Sequence, residues 1–140
     1  MTDLTQSLID RFRVCSVTGL KVDKTADNLI KANAVVAIVC MLFGVIAAIG
    51  LVLTRWEAVH LLPVGLFYRF LTAHGLNMLI FFIVFFEMAI LYFAGPVLLN
   101  SRLPAPKLGW VAFGLMVVGM VVTNGTVFTG HAEVLFTSYP

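Results

Sequence analysis

His74 is the residue whose type and position carry the clearest chemical signal in this chain. It lies at the start of a long apolar segment and is followed at once by Gly75. A buried polar group without a hydrogen-bond partner costs about 2–7 kcal/mol, so a histidine at this depth needs something to bind. One interpretation is an axial haem ligand, with Nε2 on the iron and Nδ1–H held by an acceptor. The other is a histidine that is hydrogen-bonded to a neighbouring helix.

The residues after His74 suit a flat, metal-containing cofactor. Gly75 would relieve crowding where the edge of a porphyrin approaches the backbone. Asn77 and Met78 follow His74 by three and four positions, which places them on the same face of a helix. We therefore predict that Gly75, Asn77 and Met78 pack against the haem beside His74.

Glu87 is a second ionisable residue in the same apolar segment. It is expected about 20 Å further along the helix axis than His74, on a different face. Glu87 has two interpretations, a carboxylate on a proton path or a contact with a polar group on another helix. Both imply that this helix does not face lipid alone, so further protein is expected around it.

Two more histidines, His60 and His131, lie in polar segments beside the apolar ones. His131 has three interpretations: a second haem ligand, a partner of a haem propionate, or an exposed histidine at the membrane interface. His60 lies in a loop and is the weaker candidate.

The composition identifies an integral membrane protein. The chain is 61% hydrophobic with a mean hydropathy of +1.03, and only 11% of its residues are charged, against about 25% in soluble domains. A net charge of +2 gives no basic surface for nucleic acid. Cys15 and Cys40 lack any CxxC spacing, which argues against a zinc site, covalent haem attachment and a disulfide framework.

Three apolar stretches are long enough to cross a bilayer as helices. They span about residues 32–54, 70–99 and 108–129, and together they form a predicted membrane domain over residues 32–140. Residues 1–31 form a polar leader with no signal-peptide pattern, which we expect to be either an amphipathic interfacial helix or a solvated tail.

The distribution of cations predicts the orientation of the chain. Only Arg55 and Arg69 lie on one side of the membrane. The other side carries seven basic residues, namely Arg11, Arg13, Lys21, Lys24, Lys31, Arg102 and Lys107. The positive-inside rule then puts the N-terminus in the cytoplasm, in a multi-pass protein of the inner (plasma) membrane. His60, His74 and His131 would all lie towards the outer surface.

Two sequence segments resemble a known family. They are FYRFLTAHGLN, at residues 67–77, and the terminal VLFTSYP, at residues 134–140. They resemble the first three helices of subunit I of haem–copper oxidases, especially the B family. In that family a second-helix histidine in an L-T-x-H-G context ligates the low-spin haem, and a tyrosine–proline motif follows the third helix on the outer side. The resemblance covers nearly all of the chain after the leader.

The resemblance implies a role for His74 as one axial ligand of a low-spin haem. Tyr139 and Pro140 match the start of the tyrosine–proline motif, and we group Tyr139 with His131 as candidates for the propionate side. The implied fold class is an all-α membrane bundle, three helices out of the twelve-helix oxidase fold. The second low-spin ligand and the ligands of the high-spin haem and copper lie on helices that this chain lacks.

The implied function is therefore part of the catalytic subunit of a respiratory oxygen reductase, a quinol or cytochrome c oxidase. Its expected partners are the remaining part of subunit I, other oxidase subunits and membrane lipid. The chain alone lacks the catalytic metal ligands, so any oxidase activity belongs to the complex. Three alternatives stay open: part of a nitric oxide reductase large subunit, a small cytochrome b in which His74 pairs with His60 or His131, and a haem-free assembly subunit.

Overall fold

Three long helices follow a short β-hairpin in the computed structural model, which describes residues 12–132 of the chain. The elements are β1 (Phe12–Val14), β2 (Lys21–Asp23), α1 (Lys24–Arg55), α2 (Val64–Leu98) and α3 (Pro106–Phe128). All three helices are long and apolar enough to cross a membrane. The predicted class, a helical membrane bundle, is confirmed, and each helix contains nearly all of the apolar span predicted for it.

α1 begins well before its apolar span because a polar residue caps it. The Asp23 carboxylate accepts hydrogen bonds from the backbone N–H groups of Thr25, at 2.7 Å, and Ala26, at 3.4 Å. Such a cap satisfies N–H groups that a helix start leaves free. The helix therefore starts at Lys24, whereas the prediction started near residue 32, where the charged residues end.

Part of the leader forms a hairpin, which differs from the predicted helix or tail. β1 and β2 pair antiparallel, with Arg13 opposite Val22 and Val14 opposite Lys21. Valines favour extended backbone. Gly19, at φ +67°, supplies the left-handed conformation that the turn between the strands requires. Residues 1–11, for which the same helix was considered, lie outside the described residues.

α1 packs along α2 through a stripe of mostly small side chains. The buried positions recur every three or four residues, the spacing that keeps one helix face against its neighbour. Small residues let two membrane helices approach closely, where dispersion contacts and hydrogen bonds hold them. The stripe comprises Ala26, Leu29, Asn33, Ala37, Cys40, Gly44, Ala47, Leu51 and Thr54.

α2 is not a uniform α-helix. It widens into a π-helical turn at Leu76–Phe81, where the N–H of Phe82 donates to the carbonyl of Asn77, five residues back. The side-chain amide of Asn77 also donates to the Ala73 carbonyl at 2.8 Å, so it competes for an acceptor of the α-helical ladder. A second widened turn, Ala94–Leu98, contains Pro96, which has no N–H to donate.

α3 contacts the other helices near both of its ends, at the buried Gly109 beside Leu29 and Tyr92 and again in its last turns. A small apolar cluster of Ala73, Leu76 and Val127 joins α3 to α2. Near the same level the guanidinium of Arg69 donates to the Phe128 carbonyl at 3.1 Å, which satisfies an acceptor that the helix end leaves free. The rest of α3 is largely exposed, as expected for a helix that faces lipid or further protein.

Candidate haem site around His74

Among the described residues, one hydrogen bond holds the imidazole of His74. Its Nδ1 lies 2.8 Å from the carbonyl oxygen of Gly44 on α1. A carbonyl oxygen only accepts hydrogen bonds, so Nδ1 must carry the proton. In the neutral imidazole the free lone pair then lies on Nε2, which is the tautomer of a histidine that ligates a metal through Nε2.

His74 lies beside an apolar groove between α1 and α2. The groove has a volume of about 450 Å³, within the roughly 300–1,000 Å³ typical of ligand pockets. We call it the His74 groove, and it is lined by Val45, Ala48, Ile49, Val52, Leu53, His74 and Met78. The imidazole is the only polar side chain in this set. An anchored imidazole beside apolar walls fits one axial position of a haem, since a largely apolar porphyrin needs such surroundings.

Gly44 has two functions at this point of contact. Besides accepting the hydrogen bond from His74, it leaves the space that the Met78 side chain occupies. A Cβ at position 44 would lie 2.5 Å from Met78 Cγ and 2.6 Å from Met78 Sδ. Gly44 and Ala48 lie four residues apart, a small-residue spacing that by itself indicates only close helix packing. That Gly44 holds His74 depends on the contact between two helices, and no local sequence pattern reveals it.

Met78 and Gly75 differ in how far the structure ties them to His74. Met78 lines the same groove as His74, so the structure brings these two residues together. A Cβ at Gly75 would meet no atom within 4 Å, so nothing in the described part of the chain requires glycine there. The role of Gly75 beside a porphyrin edge stays a prediction.

Asn77 lies in a different groove from His74. It is 2% exposed, and its amide donates to Asn124 Oδ1 on α3 at 2.7 Å. At about 100° per residue, Asn77 falls about 60° to one side of His74 and Met78 about 40° to the other. Asn77 therefore faces a cavity of about 340 Å³ whose walls include Phe43 and Asn124. Its predicted role against the haem stays untested, and its observed role is to join α2 to α3.

Replacing Asn77 by leucine should destabilise the contact between α2 and α3. Interhelical hydrogen bonds in membranes contribute about 0.6–1.7 kcal/mol. The side-chain oxygen of Asn124, left without its donor, adds a desolvation cost. We expect the free energy of unfolding to fall by about 1–2 kcal/mol, measured by thermal unfolding in detergent. The control is Thr123→Val, which removes only the exposed hydrogen bond from the Thr123 hydroxyl to the Gly119 carbonyl.

The double variant Asn77→Leu/Asn124→Leu separates the amide pair from general packing. It leaves neither amide unpaired, so it should lose less stability than the two single variants added together. Strictly additive losses would show that the amide pair does not couple the helices.

Glu87 is exposed on α2, and no hydrogen bond or ion pair to it is present within residues 12–132. Exposed apolar side chains surround it along the helix, among them Ile83, Val84 and Ile90. A carboxyl group on such a surface is costly in lipid. The helix contact predicted for Glu87 is therefore not made among the described residues, and both predicted roles remain predictions.

The other histidines lie apart from the His74 groove. His131 is exposed, with Nδ1 3.1 Å from the hydroxyl of Thr129. His60 lines a separate pocket beside Tyr68 and adopts a left-handed backbone, at φ +43°. The structure thus brings neither of them into the His74 groove. Tyr139, predicted on the propionate side, lies outside the described residues.

Cys15, in the hairpin turn, is a chemically distinct group that the sequence did not single out. The side-chain hydroxyl of Thr18, followed by the backbone N–H groups of Thr18 and Val17, stabilises the thiolate, and Arg13 adds a positive charge. Together they lower the pKa of Cys15 to about 7. Because the thiolate is the nucleophile, Cys15 should react at lower pH than an ordinary cysteine.

Alkylation of the folded chain by iodoacetamide tests this pKa. We expect the reaction at Cys15 to be half-maximal near pH 7 and to follow the thiolate fraction as the pH rises. Thr18→Val removes the largest stabilising contact, so it should move the midpoint to higher pH. An unchanged midpoint in that variant would remove Thr18 from the explanation.

Comparison with known families agrees with these observations. The model of the family described as Cytochrome C and Quinol oxidase polypeptide I matches residues 28–140. No curated protein and no solved structure matches the chain. The family match covers nearly all of α1 and the whole of α2, the two helices that build the His74 groove, and it also covers the whole of α3. The chain therefore belongs to the cytochrome c and quinol oxidase polypeptide I family, and it is a helical membrane protein.

Proposed function

We propose that this chain supplies one axial ligand, His74, to the low-spin haem of a respiratory haem–copper oxygen reductase. The observation that carries the proposal is the hydrogen bond from His74 Nδ1 to the Gly44 carbonyl beside an apolar groove. In the neutral ring this hydrogen bond leaves the lone pair on Nε2, and it holds the ring in one orientation. Membership of the oxidase polypeptide I family supports the same role.

A bound haem would accept and pass on single electrons, and the protein tunes it through ligands, hydrogen bonds and burial. The Gly44 carbonyl makes the imidazole a stronger electron donor, since it draws on the Nδ1 proton. Met78 and the α1 side chains of the groove, such as Val45 and Ile49, exclude water from one face of the site. A dry site of low dielectric constant would disfavour any added charge on the haem, and the haem's reduction potential would change accordingly.

The remaining cofactors of the complex, a high-spin haem and copper, would be held by the rest of subunit I on another polypeptide or a missing region. The exposed face around Glu87 supports such a partner, because added helices would cover the carboxyl group or make it part of a proton path. The basic residues at the hairpin end support a cytoplasmic N-terminus in the inner membrane. The more specific resemblance, to the B family of these oxidases, rests on the motif around His74.

Affinity purification of the tagged chain from its native membrane tests the proposal. We expect a larger polypeptide to co-purify, with haem iron and copper in the preparation and oxygen consumption on reduction. Iron in place of copper, with nitric oxide turnover, would assign the complex to the nitric oxide reductases. A bis-histidine spectrum from the chain alone would make it a small cytochrome b, and a haem-free complex would contradict the proposal.

A further inference from the structure

The hairpin end of the bundle has an uneven charge. Two carboxylates are present there in the described chain, and both are engaged: Asp23 caps α1, and Asp27 pairs with Arg13 at 3.1 Å and Lys31 at 2.6 Å. The cations outnumber them. Six lie at this end of the described chain, namely Arg13, Lys21, Lys24, Lys31, Arg102 and Lys107. This end therefore has an excess positive charge that no carboxylate of residues 12–132 neutralises.

The hairpin packs at the end of the apolar part of α2, where the polar link begins. β2 packs against the last turn of α2, and a pocket between them is lined by Val22 of the hairpin and by Phe93 and Val97 of α2. Phe93 and Val97 belong to the last apolar turns before the polar link at Asn100. α1, with 32 residues, is about 48 Å long and exceeds a hydrocarbon core of about 30 Å. Its charged first turns lie on the hairpin side, so the excess length projects there.

The outward face of the hairpin is amphipathic. Val14 pairs with Lys21 across the strands, so the two side chains share one face, opposite to the face of the buried Val22. Val14 is 59% exposed, and Val17 in the turn is 90% exposed, with Leu20 also exposed beside it. An apolar tip flanked by lysine is the pattern of a segment that enters the headgroup layer, with the amine extended towards phosphate.

We propose that the hairpin and the adjacent helix ends form a binding surface for anionic phospholipid, with Val14, Val17 and Leu20 at the acyl boundary and the cations on the lipid phosphates. Clusters of four to eight basic residues next to a membrane helix attract anionic headgroups. Arg102 stacks on Phe12 at 5.6 Å, which brings the link between α2 and α3 into the same surface. Trp110, exposed one turn into α3, has the character of an interfacial aromatic anchor. This inference does not depend on haem ligation.

An environment-sensitive fluorophore at position 17 tests the proposal. The probe would be attached to Val17→Cys in a Cys15→Ser/Cys40→Ser background, in the full chain with its co-purifying subunits. The protein would be reconstituted into phosphatidylcholine vesicles with or without phosphatidylglycerol. We expect blue-shifted emission and quenching by brominated acyl chains, both stronger with phosphatidylglycerol and weakened by high salt. The same probe at Ser101→Cys, in the polar link, should remain in a wetter environment.

A charge reversal tests the headgroup contact separately. Lys21→Glu should weaken the dependence on phosphatidylglycerol, whereas Arg55→Glu at the opposite end of α1 should leave it unchanged. Water-like emission at position 17 in both lipids would overturn the proposal. An apolar signal that brominated lipid cannot quench would also overturn it, since protein would then cover the hairpin. Quenching that is the same with and without phosphatidylglycerol, and the same in the Lys21→Glu variant, would exclude headgroup binding.

Discussion

Replacing His74 by alanine is expected to remove the low-spin haem signal from the reduced-minus-oxidised spectrum of the purified complex. The imidazole is anchored by the Gly44 carbonyl and borders an apolar groove, where no other described side chain offers a nitrogen ligand. Turnover should fall by several orders of magnitude because electrons would no longer pass through the low-spin haem. His131→Ala is the matched control, because His131 is exposed and its imidazole contacts only the Thr129 hydroxyl among the described residues.

Added imidazole distinguishes ligand loss from misfolding in the His74→Ala complex. The deleted side chain leaves a space of the shape of free imidazole, which should bind there and restore part of the low-spin spectrum. An unchanged spectrum in His74→Ala, without any addition, would exclude His74 as a ligand.

Replacing Gly44 by alanine is expected to disturb the site without removing any ligand. The added Cβ would lie 2.5 Å from Met78 Cγ, closer than any real contact, so Met78 or α1 must shift. Overpacking of this kind costs about 1–3 kcal/mol. The thermal unfolding midpoint should fall. The electron paramagnetic resonance spectrum of the low-spin haem should also shift, because the shift of α1 reorients His74 through its hydrogen bond.

Two companion variants make the Gly44 prediction specific. Gly114→Ala places a methyl where no atom lies within 4 Å, so the better helix propensity of alanine should leave stability unchanged or slightly raised. Gly44→Ala/Met78→Ala removes the clashing atoms and should recover part of the spectral shift. A full-size shift in that double variant would show that the contact with Met78 is not the cause.

The helices were predictable from the sequence because long apolar runs have few alternatives in a bilayer. The start of α1 was not, because Asp23 places it in a charged segment where hydropathy carries no signal. The hairpin was missed for a similar reason, since two three-residue strands are too short for a clear alternation. The leader, for which we expected either an amphipathic helix or a solvated tail, lies partly outside the described part of the chain.

The candidate site was predictable only in part. His74 stood out because of its type and depth, and an acceptor for Nδ1–H was expected. The identity of that acceptor, Gly44, depends on how α1 meets α2, which a single sequence does not encode locally. Asn77 and Met78, three and four residues after His74, were both assigned to its face, yet they face different grooves. The arc of about 100° between two successive residues is wide enough for each to meet a different neighbouring helix, and the positions of those helices are not encoded locally.

Pulsed electron paramagnetic resonance tests the central claim, a bond from His74 to iron, most directly. The complex would be assembled from unlabelled partner subunits and this chain, carrying ¹⁵N-histidine together with His60→Asn and His131→Asn. His74 is then the single labelled histidine. We expect a ¹⁵N coupling on the oxidised low-spin haem, of the size of a directly bound imidazole nitrogen. A low-spin haem that couples only to ¹⁴N would contradict it.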